Sequence, residues 1–113
     1  MTPRLATSVL VGGLIRKAEA EGGFGAVLAR GDSTAGAVLL ILTERGAKPA
    51  AYERLLQPDG AYAWGPSTSR FPQNSAEVPE FVARRRRFDP DLWVLELDIP
   101  SIERFAAGMN AFG

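Results

Sequence analysis

The chain has 113 residues, with 13 Lys+Arg against 13 Asp+Glu, 46% hydrophobic residues, and neither cysteine nor histidine. A chain of that length buries about two-thirds of its unfolded surface in one core without disulfide or metal staples, and a second domain does not fit. The missing residue types exclude thiolate nucleophiles, imidazole bases and Cys/His zinc sites, and the balanced charge excludes a whole-molecule field that would steer the chain to nucleic acid or an anionic membrane.

The first twenty residues outline a secretory signal, with Arg4 before an apolar stretch and Ala18-Glu19-Ala20 after it. Arg16 and Lys17 stand where a signal peptide is uncharged, and Thr7, Ser8, Gly12 and Gly13 interrupt the stretch. The segment therefore reads as a helix over 8–21, and the protein as cytoplasmic. No run reaches the roughly 18 apolar residues of a bilayer span. Thr7 or Ser8 can cap this helix, and Leu10, Val11, Leu14, Ile15 and Ala18 share one face at helical spacing. Gly12 and Gly13 cost on the order of 2 kcal/mol relative to alanine, so tertiary packing must hold it.

Gly22-Gly23 end the helix. Strands over 24–29 and 37–43 follow, joined by the turn formers of 30–36, which predict a hairpin. Strands over 51–57 and 61–65 flank Pro58-Asp59-Gly60, and 65–74 is a loop. A second helix covers 79–88, with Pro79 at its first position, where the missing N–H is no loss. Asp89-Pro90 closes it. Trp93, Leu95 and Leu97 alternate with Leu92, Val94, Glu96 and Asp98, the pattern of a strand over 92–98 with Trp93 in the core. Pro100-Ser101 then caps a short helix over 102–107, and 108–113 fray. This order predicts an α+β fold: a single domain with a mostly antiparallel sheet of about five strands, two main helices packed on one face, and a short C-terminal helix.

The loudest local feature is Arg84-Arg85-Arg86-Arg87. At about 100° per residue, four neighbours spread over about 300° of a helix, so they cannot all face one duplex. Arg85 falls in the apolar face with Val78, Phe81 and Phe88, and its guanidinium is expected to meet Glu96 or Asp98 in a structural ion pair. The outward Arg84, Arg86 and Arg87, with Trp64 beside the 65–74 loop, make a candidate surface for a protein partner or small ligand. The same three arginines support an alternative, a nucleic-acid-associated protein held by phosphate contacts.

A further alternative is a metal-dependent phosphoryl-transfer enzyme at Asp89, Asp91 and Glu96, because carboxylates near a strand end can hold magnesium. Their spacing is not that of a calcium loop, and no lysine follows Glu96 at the spacing of many nucleases. Gly22-Gly23-Phe24-Gly25 lacks a phosphate-loop lysine, Arg30-Gly31-Asp32 is turn chemistry, and Ser67, Thr68 and Ser69 have no histidine to activate them. The expectation is a small non-enzymatic binding or adaptor domain with no catalytic residue, metal or cofactor. Self-association stays open.

The stretch from Arg84 through Phe88-Asp89-Pro90-Asp91-Leu92-Trp93 to Glu96 resembles a family of short alphaproteobacterial proteins known only as a domain of unknown function. Leu14-Ile15-Arg16-Lys17-Ala18, and Arg30-Gly31-Asp32 followed by Gly36-Ala37-Val38-Leu39-Leu40, resemble the same family, so the likeness covers nearly the whole chain. It implies a bacterial single-domain protein and carries no activity, ligand or catalytic residue.

Overall fold

The computed structural model describes residues 6–67 and 71–112. In chain order the elements are α1 (Thr7–Ala20), β1 (Phe24–Ala29), β2 (Val38–Glu44), β3 (Ala47–Leu56), β4 (Tyr62–Pro66), a 3-10 turn (Ser75–Glu77), α2 (Val78–Phe88), β5 (Trp93–Ile99) and α3 (Ile102–Phe112). The five strands form one mixed sheet in the order β1-β5-β2-β3-β4, with β5 parallel to β2 and every other pair antiparallel. The chain is a single α+β domain of three helices around that sheet.

The run Val38-Leu39-Leu40-Ile41-Leu42-Thr43 is buried throughout, as the apolar sequence of β2 demands. A strand apolar on both faces belongs in the middle of a sheet covered on both sides. β5 has the same character, and it lies between β1 and β2. The expected hairpin of β1 and β2 is therefore absent. β1 is mostly exposed and takes the edge, and 30–37 arches over the start of β5.

That arch is fastened by hydrogen bonds from Asp32 N to Asp91 O (3.0 Å), Trp93 N to Ala37 O (2.8 Å) and Trp93 Nε1 to Asp32 O (2.7 Å). Gly31 is required by the close approach, since a Cβ there would lie 2.0 Å from Asp91 O. β2 and β3 do form a hairpin, through Arg45-Gly46 with φ of 50° and 81°, the paired positive values of a type I′ turn. The Asp98 carboxylate pins it, accepting from Thr43 Oγ1 (2.9 Å) and Gly46 N (2.8 Å).

Alternation along the strands divides the core in two. Leu40, Leu42, Trp93, Leu95 and Leu97 face α1 and α3, packing against Leu10, Leu14, Ala18, Phe105 and Met109. Leu39, Ile41, Ala51, Leu92 and Val94 face α2 and its Val78 and Phe81. The two main helices thus lie on opposite faces rather than one. Two central strands with apolar side chains on both sides leave no other solution. The C-terminal helix also runs past residue 107, because Met109 must follow Phe105 by one turn to reach the same core.

Helix ends are held by tertiary contacts. Glu44 of β2 accepts from Ile102 N (3.0 Å) and Ser101 Oγ accepts from Arg104 N (3.2 Å) at the start of α3. The bond from Ile102 N, helped by Lys48, keeps the Glu44 carboxyl below the usual carboxylate range against a smaller burial effect. At α1 no side chain caps the helix. Thr7 and Ser8 donate their N–H groups to Thr34 O (3.2 Å) and Ser33 O (2.9 Å), and Thr7 Oγ1 donates to Gly36 O (2.8 Å).

Candidate functional site

On α2, Val78 and Phe81 are buried and Val82 is partly buried, and this stripe continues to Arg85. Arg85 Nη2 donates to Glu53 Oε1 on β3 at 2.6 Å, and the second oxygen of Glu53 accepts from Ser67 Oγ. The ion pair has the expected kind but not the expected partner. α2 covers Leu92 and Val94 at the start of β5, whereas Glu96 and Asp98 lie further along that strand and Asp98 is occupied by the β2–β3 turn. From this position Arg85 reaches β3. Burial pushes the Glu53 carboxyl up, but the hydrogen bonds of Arg85 and Ser67 and the arginine charge together outweigh it and hold the group below its ordinary range.

The arginine run splits in two. Arg86 is not outward: it wraps the helix end, donating from Nε to Leu92 O (3.3 Å) and from Nη2 to Arg30 O (2.8 Å) and Pro90 O (3.1 Å). Arg86 thus ties the end of α2 to the carbonyls of residues beyond the helix, and Phe88 is left 86% exposed rather than joining Phe81 in the core. Arg84 and Arg87 are exposed beside it.

Trp64 does not line a surface. β4 extends through it to Pro66, and alternation directs it to the α1/α3 face, where it is 6% exposed in the same core as Phe105 and Met109. Asp89, Asp91 and Glu96 do not converge either. Asp89 Oδ1 accepts from Asp91 N (3.2 Å) within the turn, and among the described residues no three carboxylates could share a metal.

Two features escaped the sequence reading. The first is the outer edge of β1, where Phe24, Val27 and Leu28 are exposed; its signal was six consecutive uncharged residues without proline. The second is a cleft of about 250 Å³ between the start of α1, the 34–37 segment, β3 and β4, with Leu10, Val38, Arg54 and Tyr62 in its lining. Its signal was an arginine among Tyr52 and Leu56 on an otherwise apolar strand face. Among the described residues no helix is long and apolar enough to cross a membrane.

Comparison with solved structures returns the same fold. A crystal structure of a DUF1491 family protein from Caulobacter crescentus CB15 superposes with a TM-score of 0.77 at 31% identity, over 90% of this chain and 94% of that one. An NMR structure of a DUF1491 family protein from the same organism gives 0.73 at 32% identity, over 93% and 94%. The solution structure of protein Atu0922 from A. tumefaciens gives 0.73 at 28% identity, over 92% and 93%. Comparison with curated proteins gave no match. These relatives indicate no enzymatic or other specific function. The family model described as "Protein of unknown function (DUF1491)" matches residues 5–107, and the chain belongs to that family.

Proposed function

We propose that this protein is a non-enzymatic, cytoplasmic binding domain that docks an extended, apolar segment of a protein partner along β1. The observation that carries this reading is the state of that edge. β1 has a neighbouring strand on one side only, carries no charged side chain, and exposes Phe24, Val27 and Leu28. Such an edge is a template for strand addition, in which backbone bonds give affinity and alternate side chains give selectivity. An uncharged edge with apolar residues on both faces favours an uncharged, apolar partner strand. The cytoplasmic reading is supported by α1: the signal-like segment is a packed helix whose Leu10, Val11, Leu14 and Ala18 fill the core.

The test is titration of the isotope-labelled chain with extended octapeptides of alternating apolar sequence, compared with the same peptides carrying a central proline. Binding should perturb the amides of 24–29, fail for the proline peptides, and disappear in Leu28→Lys. Unchanged β1 amides, or equal binding by Leu28→Lys, would overturn the reading. A concentration-dependent dimer with protected β1 amides would assign the edge to a second copy instead.

One observation favours a second reading. Arg84, Arg87 and Phe88 are all exposed at the end of α2, a combination of positive charge and an aromatic ring suited to single-stranded nucleic acid. Retention of an oligonucleotide at low salt, lost steeply as salt rises and absent in Phe88→Ala, would support it; no retention would remove it.

A further inference from the structure

β3 and β4 are separated from β1 by β5 and β2, and they build the wall of the 250 Å³ cleft. Alternation along β3 sends Tyr52 and Arg54 toward the α1/α3 face, and the β3–β4 register sets Arg54 beside Trp64, with Leu56 opposite Tyr62. Tyr52 and Trp64 pack into the core, whereas Arg54 is exposed and Tyr62 is 49% exposed. Buried Leu10 and Val38 supply an apolar floor.

The polar chemistry of the cleft then narrows by elimination. The first N–H groups of α1 are already spent on Thr34 O and Ser33 O, so the helix end offers no free donors. Asp32 is turned into its own loop by Thr34 N (3.1 Å) and Ala35 N (2.8 Å). Glu53 also lines the cleft, but its carboxylate is committed to Arg85 and Ser67. Among the described residues, what remains is the Arg54 guanidinium, which meets no carboxylate, with the half-exposed Tyr62 phenol, Thr34 and an apolar floor.

We infer that this cleft binds a compact carboxylate carried on an apolar or aromatic body. The planar fork of Arg54 matches a carboxylate through two parallel hydrogen bonds, which a point charge could not provide. The Tyr62 ring, Leu10 and Val38 take the body. The volume lies below the roughly 300–1,000 Å³ of sites for drug-sized ligands, so a single-ring acid fits and a nucleotide does not.

The probes are benzoate, its neutral isostere benzamide, N-acetylphenylalanine and inorganic phosphate, each titrated into the full chain by NMR. Benzoate should shift the amides of Leu10, Ala37, Val38 and Tyr62 saturably, with benzamide at least about ten-fold weaker, a difference of about 1.4 kcal/mol. Arg54→Gln should keep the wild-type melting temperature and lose benzoate affinity by a similar factor, while Leu28→Lys should bind benzoate normally. Tighter binding of N-acetylphenylalanine assigns the carboxylate to a peptide terminus, and tighter binding of benzoate to a free acid; either supports the site. No saturable shift at those amides, equal binding by Arg54→Gln, or phosphate binding as tightly as benzoate would overturn it.

Discussion

At one edge of the sheet β4 is short, ends in Pro66, and buries Trp64 in the core that α3 completes with Phe105 and Met109. At the other edge β1 has six uncharged residues with Phe24 61% and Leu28 45% exposed. Proteins usually blunt an edge with proline, charge or a covering element, because an open edge recruits other strands. β4 shows the first and the last of these devices, whereas β1 carries neither proline nor charge. Its only irregularity is a bulge between Val27 and Ala29. A bulge there limits how far an added strand can pair and fixes its register, which suits a docking edge as well as a protected one.

This contrast can be broken in several ways. The largest effect is expected at the sealed edge, where Trp64→Ala should cost about 3–5 kcal/mol in urea denaturation, as loss of a large buried aromatic does. A loss under about 1 kcal/mol would mean that α3, not Trp64, closes that side. Next comes the clamp that fastens the chain after β4, Ser67–Glu53–Arg85. Arg85→Ala leaves the Glu53 carboxylate half-buried without its cation and should cost about 2 kcal/mol.

The clamp also makes a pH prediction. The folded Glu53 carboxyl sits below its unfolded value of about 4.3, so its stabilisation is full above that pH and is lost as pH falls through the folded value. The difference in melting temperature between wild type and Glu53→Gln should be present at neutral pH and close on acidification. A difference that persists unchanged in acid would detach it from the ion pair.

Smaller effects are expected at β1. A Cβ at Gly25 would lie 2.5 Å from Leu97 Cδ2 and 3.1 Å from Ile15 Cγ1, so Gly25→Ala should cost about 1 kcal/mol by overpacking. That would show the strand firmly held on its α1 side. Leu28→Lys should change stability by less than about 0.5 kcal/mol while removing strand addition. A marked destabilisation instead would make Leu28 a packing residue and remove the contrast between the edges.

The α+β class and the five strands were legible because β2 is an unbroken apolar run and β5 alternates cleanly around Trp93. Strand order was not. The turn formers of 30–36 suit a hairpin and an arch equally, and only the insertion of β5 decides between them. That one uncertainty propagated. Helix geometry turns Arg85 inward, yet the choice among Glu53, Glu96 and Asp98 depends on which strand lies beneath α2. Arg86 and Phe88 exchanged roles because the carbonyls of Arg30, Pro90 and Leu92 gather at the helix end only in the folded chain. The Arg54 cleft draws on α1, the 34–37 segment, β3 and β4, so no local spacing could announce it.

The insertion of β5 between β1 and β2 also sets a timetable for synthesis. When residues 7–56 have left the ribosome, the β2–β3 hairpin can form, but β2 still presents one bare edge and β1 has no strand to join. Both wait for Trp93–Ile99. Sheet closure therefore depends on pairings distant in sequence, which makes folding slow compared with a local meander and delays it until Trp93–Ile99 has emerged. Through that interval the buried run of β2 is exposed on the nascent chain, so this small domain is expected to lean on chaperones during synthesis more than its size suggests.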